Sequence, residues 1–303
     1  MNNLVKVRDY ENILNEFLSE QDISEKSKKI YRIALMQFFK WVNNNGFSGV
    51  NISKKHILKY KDDLREQHKS NLTINCYLTS VRRFFSWTEE KRIFPNITKG
   101  VKGVKRSQNF RKEPLTKEQV IELLSSLKNQ RDRAIITLMI FTGIRTIELQ
   151  RANIEDIRFY CGKNVLWIQG KGHEEKDEFV ILETPVLKEI QKYLITRQKR
   201  RESESLFTSL SRNSYGKRLT VESISRIVKK SLRNIMIDDS RITAHSLRHT
   251  AVTFAILQGA TLQEAQMLAR HKNIGTTMVY AHNLDRITSN PEHKITEYLA
   301  TKV

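Results

Sequence analysis

Apolar residues over the first hundred positions recur at helical spacing. Tyr10, Ile13, Leu14, Phe17 and Leu18 form one stripe, and Ile30, Ile33, Ala34, Phe38 and Trp41 form a second. Ser24 is placed to cap the second helix and Gly46 to stop it. A third helix is expected from Ser53 through Ile57, Tyr60 and Leu64, and a fourth from about Leu72 to Glu90 with Ile74, Leu78, Val81 and Phe85 inward. Helices joined by brief polar turns predict a small bundle over residues 1–95. Pro95 ends it, because proline removes a backbone donor and restricts the residue before it. Residues 96–114 carry Gly100 and Gly103, no clear period and a strong excess of cations, so they read as a basic linker.

From Leu115 the pattern changes. Thr116 followed by Gln119 is a capping-box signature, and helices are expected over Glu118 to Leu127 and Arg131 to Phe141. The second is apolar on nearly every late position (Ile135, Ile136, Leu138, Met139, Ile140), which places it at the centre of a core, and Gly143 stops it. Two short strands, Val165 to Gln169 and Glu178 to Leu182, flank the turn Gly170-Lys171-Gly172-His173. Further helices are expected over Pro185 to Arg197, Thr220 to Asn234, Ser246 to Gln258 and Leu262 to Ala269, then a short one from Thr276 and a last one from Pro291. Ile295, Tyr298 and Leu299 give that last helix a small apolar stripe. The fold class is therefore mainly α with a small β-sheet: a helical bundle (1–95), a linker (96–114) and an α/β domain (115–303).

Charge sharpens this picture. With 53 Lys and Arg against 33 Asp and Glu, the 303-residue chain carries a formal +20, which points to a polyanionic partner. The cations are spread over both halves, which favours nucleic acid over a membrane surface. Lys54, Lys55, Lys59, Arg82 and Arg83 on the bundle, with Lys102, Lys105 and Arg106 in the linker, are the candidate DNA contacts. Neither a membrane span nor a signal core is visible, so the cytoplasm is the expected compartment. The two cysteines, Cys76 and Cys161, lie in no metal-ligand or CxxC spacing and read as reduced thiols.

The candidate chemistry lies in the second half. Arg145 follows the helix-stopping Gly143, with Glu148 three residues on to orient its guanidinium. Lys171 sits between two glycines at the tip of the hairpin. His245 and Arg248 stand one turn apart at a helix start, and His271 lies nine residues before Tyr280. Taken singly, Arg145–Glu148 is equally a structural ion pair, Lys171 a surface lysine and Tyr280 a packing residue. Together they form a set. Two arginines neutralise the charge that builds on a phosphodiester under attack. A histidine takes the proton of a tyrosine hydroxyl, whose ordinary pKa is about 10. A lysine protonates the departing sugar oxygen. The set needs neither metal nor cofactor.

The combination TGIRTIEL, GKGHEEKDEF, HSLRHT and ARHKNIGTTMVY resembles the tyrosine recombinase (phage integrase) family in order and separation. The resemblance covers about Leu115 to Ala300, and the bundle fits the family's core-binding, SAM-like domain more loosely. It implies a site-specific DNA recombinase in which Arg145 and Arg248 hold the scissile phosphate and Lys171 is the general acid on the leaving 5′-oxygen. It further implies that His245 assists deprotonation, His271 contacts the phosphate and Tyr280 forms a covalent 3′-phosphotyrosine. Glu148 matches the acidic residue that buttresses the first arginine, and His249 takes a supporting or structural role. Lys176 is a weaker competitor for the acid. Arg270 stands where many members have glycine, as an added phosphate contact or a surface change.

The implied partners are double-stranded DNA bearing specific sites, three further copies of the chain in a tetramer, and accessory proteins. The two domains would close on the duplex as a C-shaped clamp, and the tail stripe would pack on a neighbouring protomer or on its own domain. The expected role is service to a mobile element, by integration, excision or cointegrate resolution, with separation of chromosome dimers as the other task open to such an enzyme. A type IB topoisomerase and a non-catalytic DNA-binding protein are the alternatives.

Overall fold

The computed structural model describes residues 7–47, 52–105, 113–170, 172–197, 204–280 and 291–300. The chain divides into two compact units, residues 1–109 and 110–303.

In the first unit α1 (Val7–Ser19), α2 (Glu25–Asn44), α3 (Lys54–Glu66) and α4 (Asn71–Glu90) form the expected bundle. Ser24 caps α2, its hydroxyl accepting from the Ser27 backbone N–H at 3.3 Å, and Gly46 turns the chain at φ 69°. The core is aromatic: Phe17, Phe38, Phe39, Tyr60, Phe84, Phe85 and both tryptophans are buried. Each indole N–H finds an acid, Trp41 donating to Asp63 at 2.7 Å and Trp87 to Glu20 at 2.8 Å, so their burial leaves no donor stranded. The inward face of α2 is the expected one only in its second half, at Ala34, Phe38 and Trp41. Ile30 and Ile33 are exposed, and the buried face runs Ala34, Leu35, Phe38, Phe39, Trp41, Val42.

The linker reading also needs correction. As far as Lys105, residues 96–105 belong to the first unit, with Val101 and Val104 buried in its core. Asn75 clasps Val104 with two bonds, donating to its carbonyl at 2.9 Å and accepting from its N–H at 3.0 Å. Gly103 allows this, since a Cβ there would meet the Asn75 amide oxygen at 2.4 Å. The signal was two valines three residues apart, too brief to register as a period.

In the second unit α5 (Lys117–Ser126) starts at the expected capping box, Gln119 N–H to Thr116 Oγ1 at 3.2 Å and Thr116 N–H to Gln119 Oε1 at 2.9 Å. Then α6 (Gln130–Thr142) runs through the core, buried from Ala134 to Ile140, and packs on α8 (Thr184–Ile195) and α10 (Ala244–Leu257). Two elements were not expected from sequence. α7 (Thr146–Arg151) is too short to show a period. β1 (Ile157–Tyr160) joins β2 (Lys163–Ile168) through Cys161-Gly162, both at positive φ; without the usual Asn or Asp at the first position the hairpin signal is hidden. With β3 (Glu178–Ile181) they make one antiparallel sheet, order β1-β2-β3, with Ile157, Leu166 and Val180 in register. The remaining helices are α9 (Val221–Arg233), α11 (Leu262–Ala269), α12 (275–280) and α13 (Pro291–Ala300). On α13, Ile295, Tyr298 and Leu299 are exposed.

Candidate active site

The end of α6 organises the site. Gly143 takes φ 59°, the left-handed conformation glycine adopts without penalty, and closes the helix with its N–H on Met139. Its carbonyl thereby faces inward and accepts from Arg248 Nη1 at 2.6 Å. Two residues on, Arg145 begins α7, its backbone N–H donating to Glu148 Oε2 at 2.8 Å and its Nη1 to Glu148 Oε1 at 2.5 Å. Arg145 Nη2 donates to the Arg270 carbonyl at 2.8 Å, which fixes the guanidinium plane from a third side.

Glu148 is fully buried. Burial alone would raise its carboxyl, but the charge of Arg270 and the bonds from Arg145 outweigh that and hold it below the ordinary range. Arg248 is 2% exposed, and its Nη2 has no hydrogen-bond partner among the described residues. Burial, then the charges of Arg145 and Arg270, push it down to about 9. A buried guanidinium with an idle donor beside other cations makes this corner of the fold strongly electropositive.

A cavity of about 500 Å³ opens there, lined by Arg145, Thr146, His245 and Arg248 and, from α9, by Ser225 and Lys229. Thr243 precedes α10, and the exposed His245 lies in that helix's first turn, so His245, Arg248 and His249 share a side at i, i+3 and i+4. The rings of His245 and His249 meet edge to face at 4.6 Å.

Tyr280 is buried among Val252, Ala265 and Ala269. Its hydroxyl hydrogen-bonds His249 Nδ1, and its ring lies nearly parallel to that of His271, 6.3 Å away. Burial pushes the phenol up to about 12, with Arg248 pulling the other way. His271 Nδ1 is 2.9 Å from Thr277 Oγ1, and burial, then Arg248 and Arg145, bring the imidazole down to about 4. The structure thus gathers Arg145, Glu148, His245, Arg248, His249, His271 and Tyr280 from three helices, α7, α10 and α12, and the α11–α12 turn. His249, expected only as support, hydrogen-bonds the tyrosine hydroxyl.

Other expectations are corrected. Arg270 is not on the surface: its side chain is 7% exposed and pairs with Glu148 at 2.9 Å. Lys176 pairs with the buried Asp156, its Nζ 2.5 Å from that carboxylate. Lys171 and Arg106 lie outside the described residues. On the first unit Lys54, Lys55, Lys59, Arg83, Lys102 and Lys105 are exposed, and Lys54 lies against Gly100 beside the segment bearing the last two. Arg82 instead donates to the Val101 carbonyl at 2.7 Å, holding that segment to the bundle. Sequence reading missed Ser225 and Lys229, which only the packing of α9 brings to the cavity.

Comparison with known proteins bears on the family and the fold. The phage integrase family profile matches residues 113–286, and the phage integrase N-terminal SAM-like domain matches residues 11–91. A tyrosine recombinase XerC of Thermodesulfovibrio yellowstonii is 30% identical over 283 residues, covering 89% of this chain and 90% of that protein. A tyrosine recombinase XerA of Pyrococcus horikoshii is 28% identical, with 88% of each covered. Among solved structures, the XerH site-specific recombinase bound to palindromic difH substrate in a post-cleavage complex superposes with a TM-score of 0.72 at 20% identity, over 96% of this chain and 91% of that one. A lambda integrase tetramer bound to a Holliday junction gives 0.71 at 16% identity, over 92% and 78%. These two share the fold. By its sequence match over more than half its length, and with the arginines, histidines and tyrosine in one site, the chain belongs to the phage integrase family, the tyrosine recombinases.

Proposed function

We propose that this chain is a site-specific DNA recombinase that cuts and rejoins DNA through a 3′-phosphotyrosine on Tyr280. The observation that carries the reading is the buried, partner-short Arg248 guanidinium facing the same cavity as Arg145. A DNA phosphate placed there satisfies Arg248 Nη2 and neutralises charge, and the same donors hold the extra charge of the pentacoordinate transition state. The Tyr280 oxygen bonds to phosphorus while the bond to the 5′-oxygen breaks. Its proton passes to histidine, by way of His249 where the hydroxyl rests or of His245 beside it. The departing 5′-oxygen takes a proton from Lys171, the acid implied by the family. His271, neutral when the site is empty, turns the ring nitrogen not engaged by Thr277 to the phosphate. The phosphotyrosine ester conserves the bond, so a second 5′-hydroxyl can reverse the step.

The exposed basic side chains of the first unit suit binding along the duplex backbone. We further propose a homotetramer on two DNA sites in the cytoplasm, with the exposed stripe of α13 packing on a neighbouring protomer, and service to a mobile element as the role. Tetrameric assembly is drawn from the lambda integrase named above.

The test is trapping on a randomised library of nicked suicide duplexes. Wild type is expected to form a covalent adduct and Tyr280→Phe to bind without forming one; an adduct in the variant would remove the assignment. Slow cleavage by Lys171→Ala should be rescued by a bridging 5′-phosphorothiolate, and no rescue would move the acid elsewhere. Plasmids bearing two selected sites should recombine, whereas relaxation without a defined site would indicate a topoisomerase.

A further inference from the structure

Arg270 ends α11 with φ 50° and ψ 50°, the left-handed conformation that favours glycine because a Cβ is crowded there. The chain spends a long charged side chain at this position, and nearly all of it is buried. Nη2 lies 2.9 Å from Glu148 Oε2 and 3.3 Å from the Gly143 carbonyl. Nη1 donates to the Leu268 carbonyl at 2.9 Å and reaches that of Thr142 at 3.5 Å. Among the described residues Nε has no hydrogen-bond partner, and it lies 3.9 Å from Glu178 Oε2. The backbone carbonyl of the same residue accepts from Arg145 Nη2 at 2.8 Å.

One residue therefore holds Arg145 in two ways, directly through its carbonyl and indirectly through the carboxylate they share. The charge balance matters as much as the geometry. A lone Glu148–Arg145 pair would be neutral, and the arginine's pull on a phosphate would be largely spent on its own buttress. With Arg270 on the second carboxylate oxygen, Arg145, Glu148 and Arg270 together carry one positive charge, and the buried Arg248 adds another beside them. Two net positive charges, with the idle Arg248 Nη2 donor at the cavity, suit an anion.

We propose that Arg270 is a positioning residue for phosphate binding: through Glu148 and its own carbonyl it sets the Arg145 guanidinium, and its charge keeps the cluster cationic. The proposal rests on the reading that Arg145 and Arg248 hold the scissile phosphate.

The test uses the full chain as wild type, Arg270→Met, Arg270→Lys and Arg270→Gly. Each is assayed at a fixed interval below its own unfolding midpoint. Readouts are the rise in midpoint with inorganic phosphate, the affinity for a duplex selected from the nicked library, and the rate of adduct formation at saturating protein. Arg270→Met is expected to lose most of the phosphate-dependent rise and about tenfold or more in adduct rate, with duplex affinity within about threefold because many other phosphates are held. Arg270→Lys should recover part of both. Arg270→Gly, relieved of the left-handed strain, should match or exceed Arg270→Met in stability yet remain as slow. If Arg270→Gly works at the wild-type rate, or Arg270→Met and wild type share the same phosphate response and rate, Arg270 only cements α11 and the proposal is overturned. Should Arg270→Met not fold, the lysine and glycine variants decide by the same comparison. A wild-type protein that forms no adduct at all overturns the reading of the site and this proposal with it.

Discussion

Glu148 is the side chain whose removal the structure penalises most plainly. It is fully buried and accepts three charge-assisted or capping bonds: Arg145 Nη1 at 2.5 Å, Arg145 N–H at 2.8 Å and Arg270 Nη2 at 2.9 Å. In Glu148→Ala the two guanidiniums face each other across an empty space with Arg248 close by. Breaking a buried ion pair by deleting one partner costs about 3–5 kcal/mol, and losing the bond at the start of α7 about 1 more. A loss of about 4 kcal/mol multiplies opening of the affected helices roughly 10³-fold, at 1.4 kcal/mol per decade. Hydrogen exchange followed by mass spectrometry separates the units peptide by peptide. Peptides spanning α7 and α11 should exchange faster by about that factor, up to the limit of global unfolding, while those from α2 and α4 stay unchanged. Glu148→Gln, which keeps shape and one acceptor, should cost roughly half as much. The cycle with Arg270→Met is the sharper check. Removing both charges should cost less than the sum of the single changes by about 2 kcal/mol or more. Additive effects, or an exchange change under about tenfold for Glu148→Ala, would mean that the three-residue cluster is not what holds this corner together.

Other expectations test neighbouring parts of the account. Gly143→Ala forces a Cβ into the left-handed region, where the cost is roughly 1–2 kcal/mol; because the same turn anchors Arg248, the adduct rate should fall further than the midpoint alone would suggest, and a purely thermal effect would argue against the anchor. Gly103→Ala sets a Cβ against the Asn75 amide, so the Asn75–Val104 clasp should open and limited proteolysis should cut within 99–105; an unchanged digest would restore the free-linker reading. His271 is held down to about 4 from 6.5, by burial first and then by Arg248 and Arg145. Between those values the unfolded chain binds a proton that the folded chain refuses. The resulting stability is present in full above the unfolded pKa and falls as the pH drops toward the folded one. The His271 ring resonance, identified by its loss in His271→Gln, should not titrate between about pH 8 and 5 in the free protein; an ordinary midpoint near 6.5 would contradict its burial beside the arginines.

Much of this site can be read in the sequence because its parts depend on local signals. Thr116 and Gln119 announce α5, Gly143 announces the turn that orients two arginines, and His245 with Arg248 share a helix side through spacing alone. Residues whose roles depend on distant partners stayed hidden. Arg270 looks like a surface cation until α11 is packed on the α6 turn, 127 residues earlier in the chain at Gly143. His249 appears secondary to His245 until α12 brings the Tyr280 hydroxyl to it. Lys176 resembles a catalytic lysine in sequence, and only the fold puts the buried Asp156 under its amine. The docking of Val101 and Val104, and the short β1 behind an uncommon Cys161-Gly162 turn, rest on contacts too few to leave a period.

The central claim, that Tyr280 is the nucleophile at a phosphate held by Arg145 and Arg248, is tested most directly by digesting the adduct trapped on a suicide duplex and locating the modified residue by mass. The chain has nine tyrosines. The account requires the nucleotide on the peptide containing Tyr280, joined through its 3′-phosphate, and no adduct from Arg145→Ala or Arg248→Ala. A nucleotide on any other tyrosine, a 5′-phosphate linkage, or undiminished adduct from either arginine variant would contradict it.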